Sequence, residues 1–131
     1  MEIVKVLVAA VAAWMFGAVW YMALAKPWMQ AAAISAGADG RPVNSKNAAP
    51  YLVSALCIIL VAGMMRHVFN MAAMDTLSEG LMGGFGIGAL FISPWIWLNN
   101  AYEMRPFHLT LINGGYATIG CTIIGAVLTL L

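Results

Sequence analysis

Long apolar stretches separated by short polar segments dominate the pattern of the chain. A bilayer core requires roughly 20 mostly apolar residues for each helix that crosses it. By this measure we predict four spans, at about residues 3–25, 51–68, 77–98 and 107–131. Residues 1–131 then form a single transmembrane domain, and the predicted fold class is an all-α integral membrane four-helix bundle.

Local signals mark where these spans begin, bend and end. Pro27 lacks an N–H group and disfavours helical geometry at the residue before it, so the first span should end or kink there. We expect a short interfacial helix to follow, to about Ser35. The segment from Thr76 to Glu79 has the capping-box pattern, which predicts the start of the third span. Pro94 predicts a kink in the last third of the same span.

Small residues recur at helical spacing along three of the spans, as in Ala9, Ala13 and Gly17 of the first. In the third span they form a double G-x-x-x-G pattern, which lets another helix approach its backbone closely. The predicted helix-packing positions are Gly17, Gly80, Gly84, Gly88, Gly114 and Gly125. Because this is more close-packing surface than one antiparallel contact needs, we expect a homo-oligomer or a partner within a larger membrane complex.

Composition supports the membrane assignment and narrows the chemistry. The chain is 63% hydrophobic and 8% charged, whereas about 25% of the residues of a soluble domain are charged. A net charge of +1 gives no reason to expect a nucleic-acid partner. The two cysteines, Cys57 and Cys121, both fall inside predicted spans, so we expect no disulfide framework, no metal site and no cofactor.

The distribution of basic residues predicts the orientation. Four spans place both termini on one side of the membrane and the first and third connections together on the other. The connection side carries Lys26, Arg41, Lys46 and Arg105, and the terminal side carries Lys5 and Arg66. Since cytoplasmic loops are enriched in Lys and Arg, we expect cytoplasmic connections and external termini.

The same topology separates the two histidines. His67 lies near the end of the second span and His108 near the start of the fourth, so about 30 Å of hydrocarbon lies between them. One protomer therefore cannot use both as ligands of a shared haem or metal ion.

Aromatic and amide side chains gather on the connection side. An aromatic belt at the headgroups accounts for most of the tryptophans. It does not account for Asn113, which lies about 7 Å below His108 by helical rise and requires a hydrogen-bond partner inside the bundle. Two interpretations stay open, a structural contact between helices and a ligand site. The candidate ligand-binding residues are Trp20, Tyr21, Trp28, Asn99, Asn100, Arg105, Asn113 and Tyr116.

Several of these residues also carry a resemblance. In the segments Gly17-Ala18-Val19-Trp20-Tyr21, Asn99-Asn100 to Arg105-Pro106, and Ile112-Asn113-Gly114-Gly115-Tyr116, the sequence resembles a family of small bacterial four-helix membrane proteins classed as a domain of unknown function. The resemblance covers nearly the whole chain and implies a bacterial inner-membrane location, with no assigned activity. Met22-Ala23 stands where the family usually has Ser-Pro or a similar helix breaker, and Ala117 stands where a histidine often follows the tyrosine. If that histidine serves a ligand in relatives, this chain cannot do the same.

Three functions remain in competition. The first is a non-enzymatic membrane protein that self-associates or accompanies a larger complex, with membrane lipid as its surroundings. The second is a binder of a quinone-like, lipid-soluble molecule at Trp20, Tyr21, Asn113 and Tyr116. The third is a small transporter or channel, although no Asp or Glu lies mid-membrane to carry a proton. With no nucleophile and base to pair, we lean against an enzyme.

Overall fold

The chain folds almost entirely into helices. The computed structural model describes residues 2–131. Its helices are α1 (Glu2–Ala23), α2 (Ala25–Ala32), α3 (Ala49–Met71), α4 (Leu77–Gly86), α5 (Ser93–Tyr102) and α6 (Phe107–Leu130). A π-helical turn, Ile87–Ile92, joins α4 to α5 into one bent helix, Leu77–Tyr102. The all-α fold class is confirmed, and four helices are long and apolar enough to cross a membrane: α1, α3, the bent helix and α6.

The bundle is built around α6. This helix packs against α4, α5 and α1, while α1 also packs against α3. The core combines small residues of α1, such as Ala9 and Ala13, with large side chains such as Phe69 and Leu128, which are fully buried. Apolar side chains on the outside, among them Leu60 of α3, are exposed, as a lipid-facing surface requires.

Different contacts hold the helices together at the two ends of the bundle. At one end, Nη1 of Arg105 donates a hydrogen bond of 3.0 Å to the carbonyl oxygen of Ala32, which ties the first and third connections together. At the other end, Nη1 of Arg66 lies 3.5 Å from the carbonyl oxygen of Leu128. We call these the connection end and the terminal end. His67 is next to Arg66 near the terminal end, and His108 follows Phe107 at the connection end, so the two histidines lie at opposite ends.

The break after α1 precedes the proline that causes it. The helix is interrupted at Leu24, where φ is −106° and ψ is 20°, and α2 begins at Ala25 rather than after Pro27. In a continuous helix the N–H of residue 27 would bond the carbonyl of Ala23, and the proline ring both removes that donor and crowds that carbonyl. The interfacial helix therefore starts earlier than the sequence predicts. It ends at Ala32, before the predicted Ser35, because the next residue, Ala33, adopts the left-handed conformation with φ of 58°.

The start of α4 is the predicted capping box. The hydroxyl of Thr76 accepts a hydrogen bond of 3.3 Å from the backbone N–H of Glu79. The Glu79 carboxylate in turn accepts from the backbone N–H groups of Thr76, at 3.0 Å, and Asp75, at 2.9 Å. Because these donors have no partner inside the helix, the box fixes where the bent helix begins. This prediction is confirmed.

Pro94 acts through a widened turn. The π-helical residues immediately precede α5, and both the backbone N–H and the hydroxyl of Ser93 bond to the carbonyl oxygen of Gly88, the hydroxyl at 2.7 Å. A wide turn of this kind re-pairs backbone groups that the proline would leave unsatisfied. The helix therefore continues without a break to Tyr102.

Candidate functional site

The glycines of α4 lie directly against the backbone of α6. A Cβ added at Gly84 would overlap the carbonyl oxygen of Cys121, and one at Gly80 would overlap that of Gly125. Further along, a Cβ at Gly88 would overlap the backbone at Thr118. This ridge is thus covered by α6 within one protomer, so a second copy would have to use another surface.

Of the other predicted packing glycines, Gly125 lies against the backbone of Gly80, whereas Gly17 and Gly114 accommodate side chains. Gly17 of α1 lies under the ring of Tyr116, whose hydroxyl donates a hydrogen bond of 3.2 Å to the carbonyl oxygen of Ala13. Gly114 lies against Ser93, whose hydroxyl donates to the Gly114 carbonyl oxygen at 3.0 Å. Both glycines therefore make room for a hydrogen bond between helices.

Five of the eight candidate ligand-binding residues form one cluster between α1, α2 and α6. The Tyr21 hydroxyl donates a hydrogen bond of 2.7 Å to Oδ1 of Asn113, which is the partner that Asn113 requires inside the bundle. The Tyr21 ring lies edge-on to the rings of Trp28 and Tyr116, each with centroids 5.5 Å away. Trp20 donates from Nε1 to the carbonyl oxygen of Ile112 at 2.9 Å. We call Trp20, Tyr21, Trp28, Asn113 and Tyr116 the aromatic cluster.

The hydrogen bonds of the aromatic cluster are made within the protein. The Tyr21 hydroxyl, the Trp20 N–H and Oδ1 of Asn113 all have a partner at 2.9 Å or less. A carbonyl-bearing ligand that bound to Tyr21 or Trp20 would have to displace one of these bonds. In a membrane such a bond holds two helices together, so the geometry fits a clamp between α1 and α6.

The other three candidate residues make different contacts. Asn100 is buried, and its Nδ2 donates to the hydroxyl of Thr110 at 3.1 Å. Asn99, its neighbour, is exposed, and Arg105 holds the carbonyl of Ala32 at the connection end. The structure thus divides the predicted set into the aromatic cluster, one buried amide and two exposed residues.

A groove beside the π-helical turn was not predicted from the sequence. It is an open hollow of about 550 Å³ between the bent helix and α6. At its floor, Oγ of Ser93 bonds to the carbonyl oxygens of Gly88 and Gly114 and lies 3.2 Å from Oγ1 of Thr118. Ser93-Pro94 was a signal for this feature, because both residues line the groove. The lining consists of Ala89, Ser93, Pro94, Trp97, Phe107, Thr110, Leu111, Gly114, Gly115, Thr118 and Ile119.

Polar chemistry is sparse in the part of the chain that the structure describes. Within residues 2–131, no three His, Cys, Asp or Glu side chains gather where they could hold a metal ion. Over the same range, every fully buried side-chain nitrogen or oxygen has a hydrogen-bond partner. The buried polar groups therefore serve contacts between and within helices.

Removing the Tyr21 hydroxyl tests the clamp. We expect Tyr21→Phe to lower the free energy of unfolding by about 0.6–1.7 kcal/mol, the range for one hydrogen bond between membrane helices. Tyr102→Phe is the matched control, because Tyr102 is 84% exposed and its loss should leave stability unchanged. Thermal unfolding of both variants in one detergent measures the difference. If Tyr21→Phe were as stable as the parent protein, the Tyr21–Asn113 bond would not act as a clamp between α1 and α6.

Comparison with known proteins identifies the family. No curated protein and no solved structure gives a significant match to the chain. The model of the family described as "Protein of unknown function (DUF1761)" matches residues 4–129, nearly the whole length. This confirms the resemblance seen in the sequence, and the chain belongs to that family.

Proposed function

We propose that this protein is a non-catalytic integral membrane protein of the bacterial inner membrane, which self-associates through the groove beside the bend. The proposal rests on the presence of the groove. Its lining includes small, half-buried residues such as Ala89 and Thr118, and the hydroxyl of Ser93 is already paired there. A surface of small residues whose polar groups already have hydrogen-bond partners supports the association of helices in lipid, because close van der Waals packing is the main attraction there.

Exposed apolar side chains lie next to the groove. Pro94 lies at the groove and is a helical neighbour of Phe91 and Leu98, three residues before it and four after it. Phe91 is 73% exposed and Leu98 is 45% exposed, so both project from the bundle. A two-fold axis between two copies pairs the same patch with itself. The exposed side chains of Phe91 and Leu98 on each copy would then enter the groove of the other.

The remaining surfaces support this choice over the two alternatives. A quinone-like ligand at the aromatic cluster would compete with the Tyr21–Asn113 bond. A proton-coupled transporter needs a titratable group inside the membrane. Here the acidic residues Glu2, Asp75, Glu79 and Glu103 lie at or beside helix ends, and Asp39 lies in the long connection.

The connection end supports the proposed orientation. Tyr102, the last residue of α5, is 84% exposed where an aromatic belt would meet the headgroups. Four of the six basic residues lie on this side, which favours a cytoplasmic location for the connections.

Filling the groove tests self-association. Leu111 lines the groove and is 57% exposed. We expect the parent protein, extracted in a mild detergent, to give a dimer in native mass spectrometry. Leu111→Trp should weaken association by about tenfold or more, because an overfilled contact costs roughly 1–3 kcal/mol.

Leu60→Trp provides the matched control. Leu60 is 64% exposed on α3 and does not line the groove, so this variant should remain dimeric. A parent protein that is monomeric at every concentration would contradict the proposal, as would equal weakening by both variants. A small molecule bound to the monomer and lost only in Leu111→Trp would identify the groove as a ligand site instead.

A further inference from the structure

A second, smaller cavity lies at the terminal end, away from the groove. It has a volume of about 230 Å³ and lies between the start of α1, the last turns of α3, the segment before α4 and the end of α6. Its volume is several times the ~30 Å³ that one water molecule occupies in the liquid. Its lining consists of Lys5, Arg66, Asp75, Leu128, Thr129 and Leu131.

Two cations, Lys5 and Arg66, line this cavity. The guanidinium of Arg66 is paired with the Glu2 carboxylate through Nε and through Nη2, the latter at 3.1 Å, and its Nη1 reaches the Leu128 carbonyl only at 3.5 Å. Nζ of Lys5 lies 3.8 Å from Oε1 of Glu2, which is too long for a hydrogen bond. The Lys5 and Arg66 side chains are 27% and 17% exposed. Lys5 therefore retains donors for a further anionic group.

An acid and a hydroxyl complete the cavity. The backbone N–H of Asp75 bonds to Glu79, and within residues 2–131 the Asp75 carboxylate forms no ion pair. The Thr129 hydroxyl donates to the carbonyl oxygen of Gly125 at 2.9 Å, so toward the cavity it offers an acceptor. The cavity lining thus combines cationic donors with anionic and hydroxyl acceptors.

Charge balance selects the kind of ligand. Lys5 and Arg66 carry two positive charges, and Glu2 and Asp75 carry two negative charges, so the group is neutral as a whole. A dianion would meet repulsion from Asp75 and Glu2. A ligand with a phosphate and an ammonium would instead match both the cationic and the anionic groups of the lining.

The depth of the cations fits a lipid headgroup. By helical rise, Lys5 lies about 4.5 Å inside the start of α1 and Arg66 about 7.5 Å inside the end of α3. This is the boundary between hydrocarbon and headgroups, where Lys and Arg extend toward phosphates. A lipid phosphate at this depth would satisfy donors that the protein leaves open.

We propose that this cavity binds the headgroup of a zwitterionic aminophospholipid. The phosphodiester lies against Lys5 and Arg66, and the primary ammonium lies against Asp75 and Thr129. The site is independent of the groove and of self-association.

Lipid competition tests the site. The delipidated protein is titrated in detergent with phosphatidylethanolamine, phosphatidylglycerol or phosphatidylcholine of identical acyl chains, and native mass spectrometry measures each bound fraction. Phosphatidylethanolamine should bind about tenfold more tightly than the other two, because only it combines a phosphodiester with ammonium N–H donors. Lys5→Gln should weaken phosphatidylethanolamine binding by a similar factor, and Lys5→Arg should restore it.

Asp75 controls the selectivity. Asp75→Asn should bring the affinities for phosphatidylethanolamine and phosphatidylglycerol to within about twofold of each other, since the partner of the ammonium is lost. Lys46→Gln, which removes an exposed lysine from the long connection, should change none of the affinities. Equal binding of the three lipids by the parent protein would overturn the proposal. A thermal shift produced by inorganic phosphate alone would assign the site to a free anion and would also overturn it.

Discussion

Replacing Gly84 with alanine is expected to lower the free energy of unfolding by about 1–3 kcal/mol, the usual cost of overpacking a close contact. The added Cβ would overlap the carbonyl oxygen of Cys121. Because that obstacle is backbone, neither a rotamer change nor a flexible side chain can relieve it, and α4 has to move away from α6. Thermal unfolding in a fixed detergent, with loss of helical circular dichroism as the signal, measures the effect.

Gly86→Ala separates this clash from a general effect of glycine replacement. Gly86 lies two residues further along the same helix, and a Cβ there would meet no atom within 4 Å. We expect this variant to be within about 0.5 kcal/mol of the parent protein, as surface substitutions usually are. If Gly84→Ala were as stable as Gly86→Ala, the close approach of α4 and α6 would be wrong.

The elements of the fold that depend on neighbouring residues could be predicted from the sequence. The capping box requires only that Thr76 and Glu79 be three residues apart, and it is found where predicted. An irregularity near Pro94 was also predicted, as a kink, but the π-helical turn that precedes the proline was not. A proline in the sequence shows that one backbone N–H is missing. How the freed backbone groups find new partners depends on Ser93 and on α6, which the sequence pattern does not show.

The sequence predicted that certain residues must contact another helix, but not which residues they contact. Asn113 had to find a partner because it lies below the headgroups, and Tyr21, 92 positions earlier, is that partner. Helical spacing shows which residues share a face, but it does not determine the rotation of α1 against α6. The cavity at Lys5 and Arg66 was missed for the same reason, although both residues were assigned to one side of the membrane.

The surface for self-association shows a similar limit. Three glycines on one face predict a close contact, but the pattern is the same whether the other helix belongs to the same chain or to a second copy. In the structure Gly80, Gly84 and Gly88 face α6 of the same chain. The groove, in contrast, arises from the bend, whose geometry no single residue specifies. The proposed interface therefore moves from the glycine ridge to the neighbouring groove.

The second large effect is expected at Asn100, where the amide is buried against Thr110. Asn100→Ala should lower the free energy of unfolding by about 1–3 kcal/mol, because it leaves a buried hydroxyl without its donor. Asn99→Ala is the matched control: the preceding residue is exposed, so its loss should change stability by no more than about 0.5 kcal/mol. Thermal unfolding in the detergent used for the glycine variants compares the two.

A double-mutant cycle distinguishes the hydrogen bond from simple loss of volume. Thr110→Val removes the other partner, and the variant carrying both changes no longer buries an unpaired group. The double variant should therefore be more stable than the sum of the single effects predicts, by about 0.6–1.7 kcal/mol for a bond between membrane helices. Additive effects would mean that Asn100 and Thr110 stabilise the bundle independently. The ligand-site interpretation of Asn100 would then regain support, because its amide would be free to bind another group.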